Sequence, residues 1–270
     1  MNPNKKKIGI FDSGIGGLTV VKKIFEILPY EEVVYFGDTA RCPYGPRSKR
    51  IVRDFSLQNV NFLLSCDVKF IVIACNTSSA FALDFLRRRY EVPMMGVVEP
   101  GAKGAVEVTK NNRVGVIGTV GTISSGSYFK AVQKMSTEIS IYPLPCPLLV
   151  SLTEEGFLDR KATYLIAEEY LLPLKKRKID TLILGCTHYP LLKSVIKRIM
   201  GKDVVLIDSA ERTAWEVKRY LKENKLLRNS RKRVSHKFFV SDQPDKFKEI
   251  GERFLGEKIK KVSLIDINKY

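Results

Sequence analysis

The chain has 270 residues, of which 44% are hydrophobic and 28% are charged, a composition typical of a soluble globular protein with one large or two modest domains. No apolar run reaches the length of a membrane helix, the lysine-rich start predicts no secretory signal, and five cysteines without disulfide spacing predict reduced thiols in the cytoplasm. Two histidines and no C-x-x-C pair predict no metal site, and the net charge of +17 predicts attraction for anions of unspecified kind.

Strand and helix patterns alternate through the first third of the chain. The glycine-rich turn at 12–17 permits close approach of the backbone to a small ligand, but it lacks the spacing of a nucleotide-binding loop. The loop at 37–46 contains two prolines and two glycines, and it predicts either a pocket wall or a simple turn. Residues 99–101 predict a break between domains. The predicted strands are 8–11, 33–36, 70–74 and 94–98, and the predicted helices are 18–28, 47–66 and 78–90.

The pattern of strand, polar turn and helix then starts again. The strand at 113–118 and the turn at 119–126 resemble the strand and turn at the start of the chain, and a kinked connection follows at 144–147. The tail beyond residue 210 has no counterpart in this repeat, and we expect it to return to the first half. Later helices are predicted at 166–174, 208–225 and 242–255, and another follows the second cysteine and ends near Met200. Later strands are predicted at 204–207, 236–240 and 261–267.

Two apolar runs, one in each half of the chain, end in a cysteine that small polar residues follow. Cys75 follows the run at 70–74, and Cys186 follows the run at 181–185. Such runs are typical of buried parallel strands, and ligands bind at the carboxyl ends of strands in open α/β sheets. Helix starts at the same edge favour anions.

The repeat therefore predicts an α/β fold of two similar, doubly wound lobes with mainly parallel sheets, related by a pseudo-twofold axis. Gly9 precedes Cys75 by 66 residues and Gly115 precedes Cys186 by 71, so both cysteines would lie at the cleft between the lobes. We expect residues 1–97 plus 210–270 to form the first lobe and residues 98–209 the second.

Two thiols that face one small pocket suit proton transfer better than the other chemistry of cysteine. Reduced thiols argue against a stable disulfide, a metal would need more ligands, and a nucleophile needs an established base beside it. Inversion of a stereocentre needs a base on one face and an acid on the other. A thiol with a pKa of roughly 8.5 reaches both forms near neutral pH, and two close thiols would titrate as a coupled pair.

These stretches also resemble the glutamate racemase family, within the aspartate/glutamate racemase superfamily. The resemblance covers about residues 8–210 and implies an isomerase that interconverts L- and D-glutamate without a cofactor or metal and supplies D-glutamate for peptidoglycan. With it we expect a homodimer, no membrane partner and no nucleic acid. The matching motifs are Ile10-Phe-Asp12-Ser13-Gly14-Ile-Gly-Gly17, Tyr35-Phe-Gly-Asp38-Thr-Ala-Arg41, Pro43-Tyr44-Gly45, Ala74-Cys75-Asn76-Thr77, Val116-Ile-Gly-Thr119 and Gly185-Cys186-Thr187-His188-Tyr-Pro190.

The resemblance further implies the roles of single residues. Cys75 and Cys186 would be the acid/base pair, with Asp12, His188 and Glu154 as helpers that tune the thiols. Glu155 is adjacent, so the choice between the two glutamates stays open, although the family pattern Glu, any residue, Gly favours Glu154. The residues implied to bind substrate are Asp12, Ser13, Tyr44, Gly45, Asn76, Thr77, Thr119, Thr187 and His188.

Three alternatives remain at this point. An aspartate racemase would use the same cysteine pair on the same fold. The basic run from Lys218 to Lys237, which has nine Lys or Arg and one acid, suggests a nucleic-acid-binding protein, although no nucleic-acid motif accompanies it. A hydrolase with a single nucleophilic cysteine is the third.

Overall fold

A computed structural model describes residues 3–230 and 234–270 of the chain. The larger of its two sheets has the strand order β10-β9-β2-β1-β3-β4, and every pair of neighbouring strands is parallel. Its strands within the described residues are β1 (Lys7–Asp12), β2 (Val33–Gly37), β3 (Val68–Ile73), β4 (Met94–Gly96), β9 (Lys237–Val240) and β10 (Val262–Leu264).

The smaller sheet has the order β6-β5-β7-β8 and is also parallel throughout. Its order matches the β2-β1-β3-β4 portion of the larger sheet, which confirms the predicted fold class of two similar α/β lobes. The tail adds β9 and β10 beside β2, so its predicted return to the first half is also confirmed. The strands of this sheet are β5 (Arg113–Gly118), β6 (Ser140–Pro145), β7 (Thr181–Gly185) and β8 (Val205–Asp208).

Helices connect the strands, as parallel pairing requires. Side chains cap several of them: Ser48 accepts from the amide of Ile51, and Asp208 accepts from the amide of Ala210. The α-helices are α1 (Leu18–Ile27), α2 (Lys49–Ser65), α3 (Asn76–Arg87), α4 (Val98–Val108), α5 (Val120–Ser124), α6 (Ser127–Gln133), α7 (Leu148–Glu154), α8 (Lys161–Lys176), α9 (Lys193–Met200), α10 (Ser209–Glu223) and α11 (Pro244–Leu255).

Each sheet has its own hydrophobic cores, and we call each sheet with its helices a lobe. Ala214 and Val217 of α10 pack with Ile10 of β1 in the first lobe, whereas Ala102 of α4 packs with Val116 of β5 in the second. The chain crosses between lobes just before α4 and α10. This arrangement agrees with the predicted division into residues 1–97 plus 210–270 and residues 98–209. That each lobe is a separate domain stays a prediction.

Two segments are more regular in the structure than the sequence predicted. Residues 99–101, predicted as a break between domains, lie in the first turn of α4, directly after the chain crosses between the lobes, where a proline forgoes no intrahelical hydrogen bond. The strand β6 was not predicted, since Pro143 and Pro145 interrupt its pattern. It lies at the edge of its sheet, where proline is tolerated.

Among the residues that the structure describes, no helix is long and apolar enough to cross a membrane.

The basic run from Lys218 to Lys237 is partly paired with acids. Arg228 pairs with Glu32 and Arg219 pairs with Glu216, so part of the positive charge of the run is neutralised within the first lobe. Arg231, Lys232 and Arg233 of the same run lie outside the described residues.

Candidate active site

The carboxyl ends of β1 and β3 face those of β5 and β7 across a small cavity. Its volume is about 30 Å³, which is of the order of the space that one water molecule occupies in the liquid. Most of the residues predicted to form the site therefore lie together. The cavity is lined by Ser13, Cys42, Pro43, Tyr44, Gly45, Cys75, Asn76, Thr77, Thr119, Val150, Cys186, Thr187 and His188.

Cys75 follows Ala74 in the two-residue link between β3 and α3, and it caps the helix. Its Sγ accepts from the amide of Ser78 at 3.5 Å, and its thiol donates to Oγ of Ser13 at 3.8 Å. Burial, together with the negative charge of Asp12, raises the pKa of the Cys75 thiol to about 11. This thiol is therefore protonated near neutral pH.

Cys186 occupies the corresponding place after β7 and has a different partner. Nδ1 of His188 lies 3.7 Å from its Sγ, and Nε2 of the same ring lies 2.8 Å from Oε1 of Glu154. Burial disfavours the imidazolium, but the hydrogen bonds with Cys186 and Glu154 outweigh it and raise the pKa of His188 to about 10. Glu155 is exposed on the surface beside Glu154, so the geometry favours Glu154 as the helper acid.

Asp12 is fully buried behind the cavity, at the end of β1. Its Oδ2 accepts from the amide of Gly14 at 3.0 Å, so it shapes the turn instead of capping α1, whose N-cap is Gly17. Burial raises the pKa of Asp12, although the positive charge of His188 opposes the rise. Oδ1 of Asp12 has no hydrogen-bond partner among the described residues, which is unusual for a buried carboxylate oxygen.

Tyr44 and Gly45 form one wall of the cavity, as one of the two predictions for their loop proposed. The hydroxyl of Tyr44 is already engaged, since it donates to Asp38 and accepts from Nδ2 of Asn59 at 3.1 Å. Asp38 in turn pairs with Arg41 at 2.7 Å. The hydroxyl of Tyr44 is thus already occupied, and no pattern in the sequence indicated that Asn59 supports it.

The two lobes contact each other through matching residues on either side of the cavity. Oγ1 of Thr19, on the helix after β1, shares its proton between the carbonyls of Gly16 at 2.9 Å and Thr187 at 3.1 Å. Across the cavity, Oγ1 of Thr119, after β5, lies 2.9 Å from Oγ1 of Thr77. In each pair, a residue beyond the first strand of one lobe meets a residue just beyond the cysteine of the other.

A larger cavity of about 280 Å³ adjoins the small one. Cys42, Pro43 and Val150 line both, and Glu154 and Lys246 line the larger one. Sequence reasoning did not single out Cys42 and Val150 as wall residues, because neither follows a strand end or stands in a spacing that marks one. No group of His, Cys, Asp or Glu side chains in residues 3–230 and 234–270 could hold a metal ion.

Two similar parallel-sheet lobes, each with a buried cysteine at the end of its third strand and both cysteines at one cavity, define a class of two-lobed α/β proteins with a two-thiol site. The family model described as Asp/Glu/Hydantoin racemase matches residues 8–217. The chain belongs to this family.

Individual relatives are similar over nearly the whole chain. A glutamate racemase from Geobacter metallireducens is 50% identical over 254 residues, which are 94% of either chain. The crystal structure of a glutamate racemase isoform from Bacillus anthracis is 44% identical, with a TM-score of 0.94 and 97% of each chain covered. The glutamate racemase from Francisella tularensis, solved in complex with D-glutamate, is 40% identical with a TM-score of 0.93, and the match covers 99% of this chain and 100% of that one.

Proposed function

We propose that this chain is an isomerase that interconverts L- and D-glutamate by proton transfer at the α-carbon, with Cys75 and Cys186 as the acid/base pair. The observation that carries the proposal is the cavity that both buried thiols line from corresponding strand ends of the two lobes. Glutamate is the proposed substrate because the similar proteins named above are glutamate racemases. D-glutamate for peptidoglycan is the proposed product.

The two thiols have different partners. Sγ of Cys186 lies 3.7 Å from Nδ1 of His188, whereas Cys75 lies near Asp12 and stays protonated near neutral pH. We therefore assign Cys75 as the acid and Cys186 as the base in one direction. In one direction, the thiolate of Cys186 takes the α-proton, and the electron pair of the broken C–H bond stays on the α-carbon. The thiol of Cys75 then delivers its proton to the opposite face. The pair ends with its protonation states exchanged, which is the starting state for the reverse direction.

Substrate binding is proposed to use one buried anion and neutral donors. Oδ1 of Asp12 would accept from the substrate ammonium, which also relieves the cost of an unpaired buried carboxylate oxygen. No Lys or Arg among the described residues lines the cavity. The carboxylates would therefore bind the amides at the start of α3 and the polar side chains of Ser13, Asn76 and Thr187.

The cavity is smaller than an amino acid with two carboxylates, so we propose that the lobes separate to admit glutamate and close around it. The contacts between the lobes at the cavity that opening would break include the hydrogen bonds of Thr19 with Thr187 and of Thr77 with Thr119, and the edge-on contact of His188 with Phe254. Closure removes water from the reacting carbon, where fixed donors are then most effective. The proposed moving units are the lobes 1–97 plus 210–270 and 98–209.

The direct test follows the optical rotation of L-glutamate with purified protein, no added cofactor and EDTA present. We expect full conversion to the racemic mixture, because proton transfer by two thiols needs neither a metal nor a carbonyl cofactor. L-aspartate is the matched substrate, and turnover of aspartate in preference to glutamate would establish the aspartate racemase alternative. Activity that EDTA abolishes and a metal restores would contradict the proposed mechanism.

The pH dependence tests the role of Glu154. The raised pKa of His188 means that its positive charge is present at neutral pH and is lost as the pH rises through about 10. In Glu154→Gln one of the groups that raise this pKa is gone, so we expect the alkaline limb of kcat/KM to move to lower pH. The exposed neighbour provides the control, and Glu155→Gln should keep the parent profile. Equal shifts in both variants, or in neither, would contradict the assignment of Glu154.

A nucleic-acid-binding role is less favoured, since Arg219 and Arg228 of the basic run already pair with acids of the first lobe. A homodimer and a cytoplasmic location stay predictions. Light scattering would measure the oligomeric state, and cell fractionation would measure the location.

A further inference from the structure

Tyr128 is a buried residue of α6 in the second lobe, and the sequence analysis assigned it no role. Its side chain is 3% exposed. Its hydroxyl donates to Oδ1 of Asn76 at 2.7 Å and lies 3.1 Å from Oγ of Ser209. Since the hydroxyl proton goes to Asn76, the proton of the second contact comes from Ser209. In the structure the three side chains thus form a chain of hydrogen bonds that runs from Ser209 through Tyr128 to Asn76.

This chain of hydrogen bonds holds the side chain of Asn76 in place at the cavity. Asn76 follows Cys75 directly and lines the cavity from the first lobe. With Oδ1 bonded to Tyr128, the Nδ2 donors of the amide are left for a ligand such as a carboxylate. Among the described contacts no other hydrogen bond holds this side chain, so without the tyrosine hydroxyl it would be free to leave this position.

The ring of Tyr128 has a second contact beside the other cysteine. Gly185 immediately precedes Cys186, and a Cβ at Gly185 would lie 3.1 Å from Cε2 of Tyr128 and 2.6 Å from the carbonyl oxygen of Ile117. The ring therefore packs directly on the backbone that carries Cys186. Tyr128 thus contacts Asn76, directly after Cys75, through its hydroxyl, and Gly185, directly before Cys186, through its ring.

We propose that Tyr128 is a positioning residue for racemisation, which holds the Asn76 side chain in place for a substrate carboxylate and fixes the backbone of Cys186 against the first lobe. This inference rests on the proposed function. Tyr128 would act through Asn76 and Cys186, because Tyr128 itself does not line the cavity.

The first experiment compares Tyr128→Phe with the parent enzyme, because phenylalanine keeps the ring and removes only the hydroxyl. We expect KM for glutamate to rise about tenfold with kcat changed by less than about threefold, since a carboxylate contact holds substrate and transition state alike. The matched control is Tyr90→Phe. Tyr90 donates to Oδ1 of Asn61 at 2.6 Å, which is the same type of hydrogen bond away from the cavity, and its loss should leave both constants unchanged.

A double-mutant cycle separates positioning from a merely structural role. If the hydroxyl acts through Asn76, Tyr128→Phe should have almost no further effect on KM in the Asn76→Ala background. Ser209→Ala removes the donor to Tyr128 without touching the ring, and it serves as the second variant if Tyr128→Phe folds poorly. It should raise KM by a smaller factor, with no effect once Asn76 is alanine.

The outcomes are distinguishable. A parent protein that racemises glutamate, together with a Tyr128→Phe variant of parental KM, would overturn the positioning role alone. Losses that multiply in the double variant would overturn it as well, because the hydroxyl would then act independently of Asn76. A parent protein that does not racemise glutamate would overturn the proposed function and, with it, this inference.

Discussion

Cys75→Ala and Cys186→Ala will each abolish racemisation of glutamate in both directions. Each direction needs one sulfur as the base and the other as the acid, so removal of either interrupts both. Acid/base groups contribute about 10²- to 10⁴-fold each, and we expect a loss of at least ~10³-fold in kcat/KM. The measurement is the rate of change of optical rotation from either pure enantiomer.

Cys66→Ala is the control for these variants. Cys66 lies at the end of α2, away from the cavity, and its replacement should leave kcat/KM at the parental value. Measurable turnover near the parental rate in Cys75→Ala would refute the two-thiol mechanism.

Isotope exchange tests whether each thiol serves one face. In deuterated water, the acid on the far face has equilibrated with solvent, so the product formed early should carry deuterium at the α-carbon. The remaining substrate should stay largely protiated, because the proton removed from it stays on the other sulfur. Extensive deuteration of the substrate before inversion would instead indicate a single base that serves both directions.

The sequence was sufficient to place the cysteine pair because its signal is local. An apolar run that stops at a cysteine, followed by polar residues and a helix, specifies the end of a buried strand and the start of a helix together. Since the same signal occurs in each half, the repeat also predicted two similar lobes, and the common strand order confirmed them.

The details that the sequence missed depend on partners far along the chain. Tyr128 meets Asn76 across 52 residues and two lobes, and no periodicity or spacing encodes such a contact. The edge strand β6 was missed for a different reason. Its prolines oppose a strand by local propensity, and only its place in the sheet makes them acceptable. The choice between Glu154 and Glu155 likewise needed the position of His188.

The turn after β1 supplies the second prediction of large effect, through a glycine that touches the other lobe. A Cβ at Gly16 would lie 2.2 Å from Oγ1 of Thr187 and 2.6 Å from Nδ1 and Cε1 of His188. The backbone of Gly16 lies outside the left-handed region, so alanine is excluded here by the contact alone. The ring of His188 has little freedom to move, because it bonds to Glu154 on one side and packs edge-on against Phe254 on another.

Gly16→Ala should therefore either displace His188 from Cys186 or hold the lobes apart, and both results impair proton transfer. A displacement of about 1 Å in such a site costs on the order of 10²-fold, which is the loss of kcat/KM that we expect. Gly9→Ala is the matched control. Its Cβ would lie 3.1 Å from Cγ1 of Val68 and 3.2 Å from Cδ1 of Leu63, in the core of the same lobe and away from the cavity.

Overpacking in either place costs roughly 1–3 kcal/mol of folding free energy, so both variants should show a lowered Tm. Only Gly16→Ala should lose activity when the two are compared below their melting temperatures. The added methyl group would occupy space that Thr187 and His188 of the other lobe fill when the lobes are closed. Small-angle scattering of Gly16→Ala with glutamate should therefore show a more open molecule than the parent with glutamate. Parental kcat/KM in Gly16→Ala would show that the close contact between Gly16 and Thr187 is not part of the reacting state.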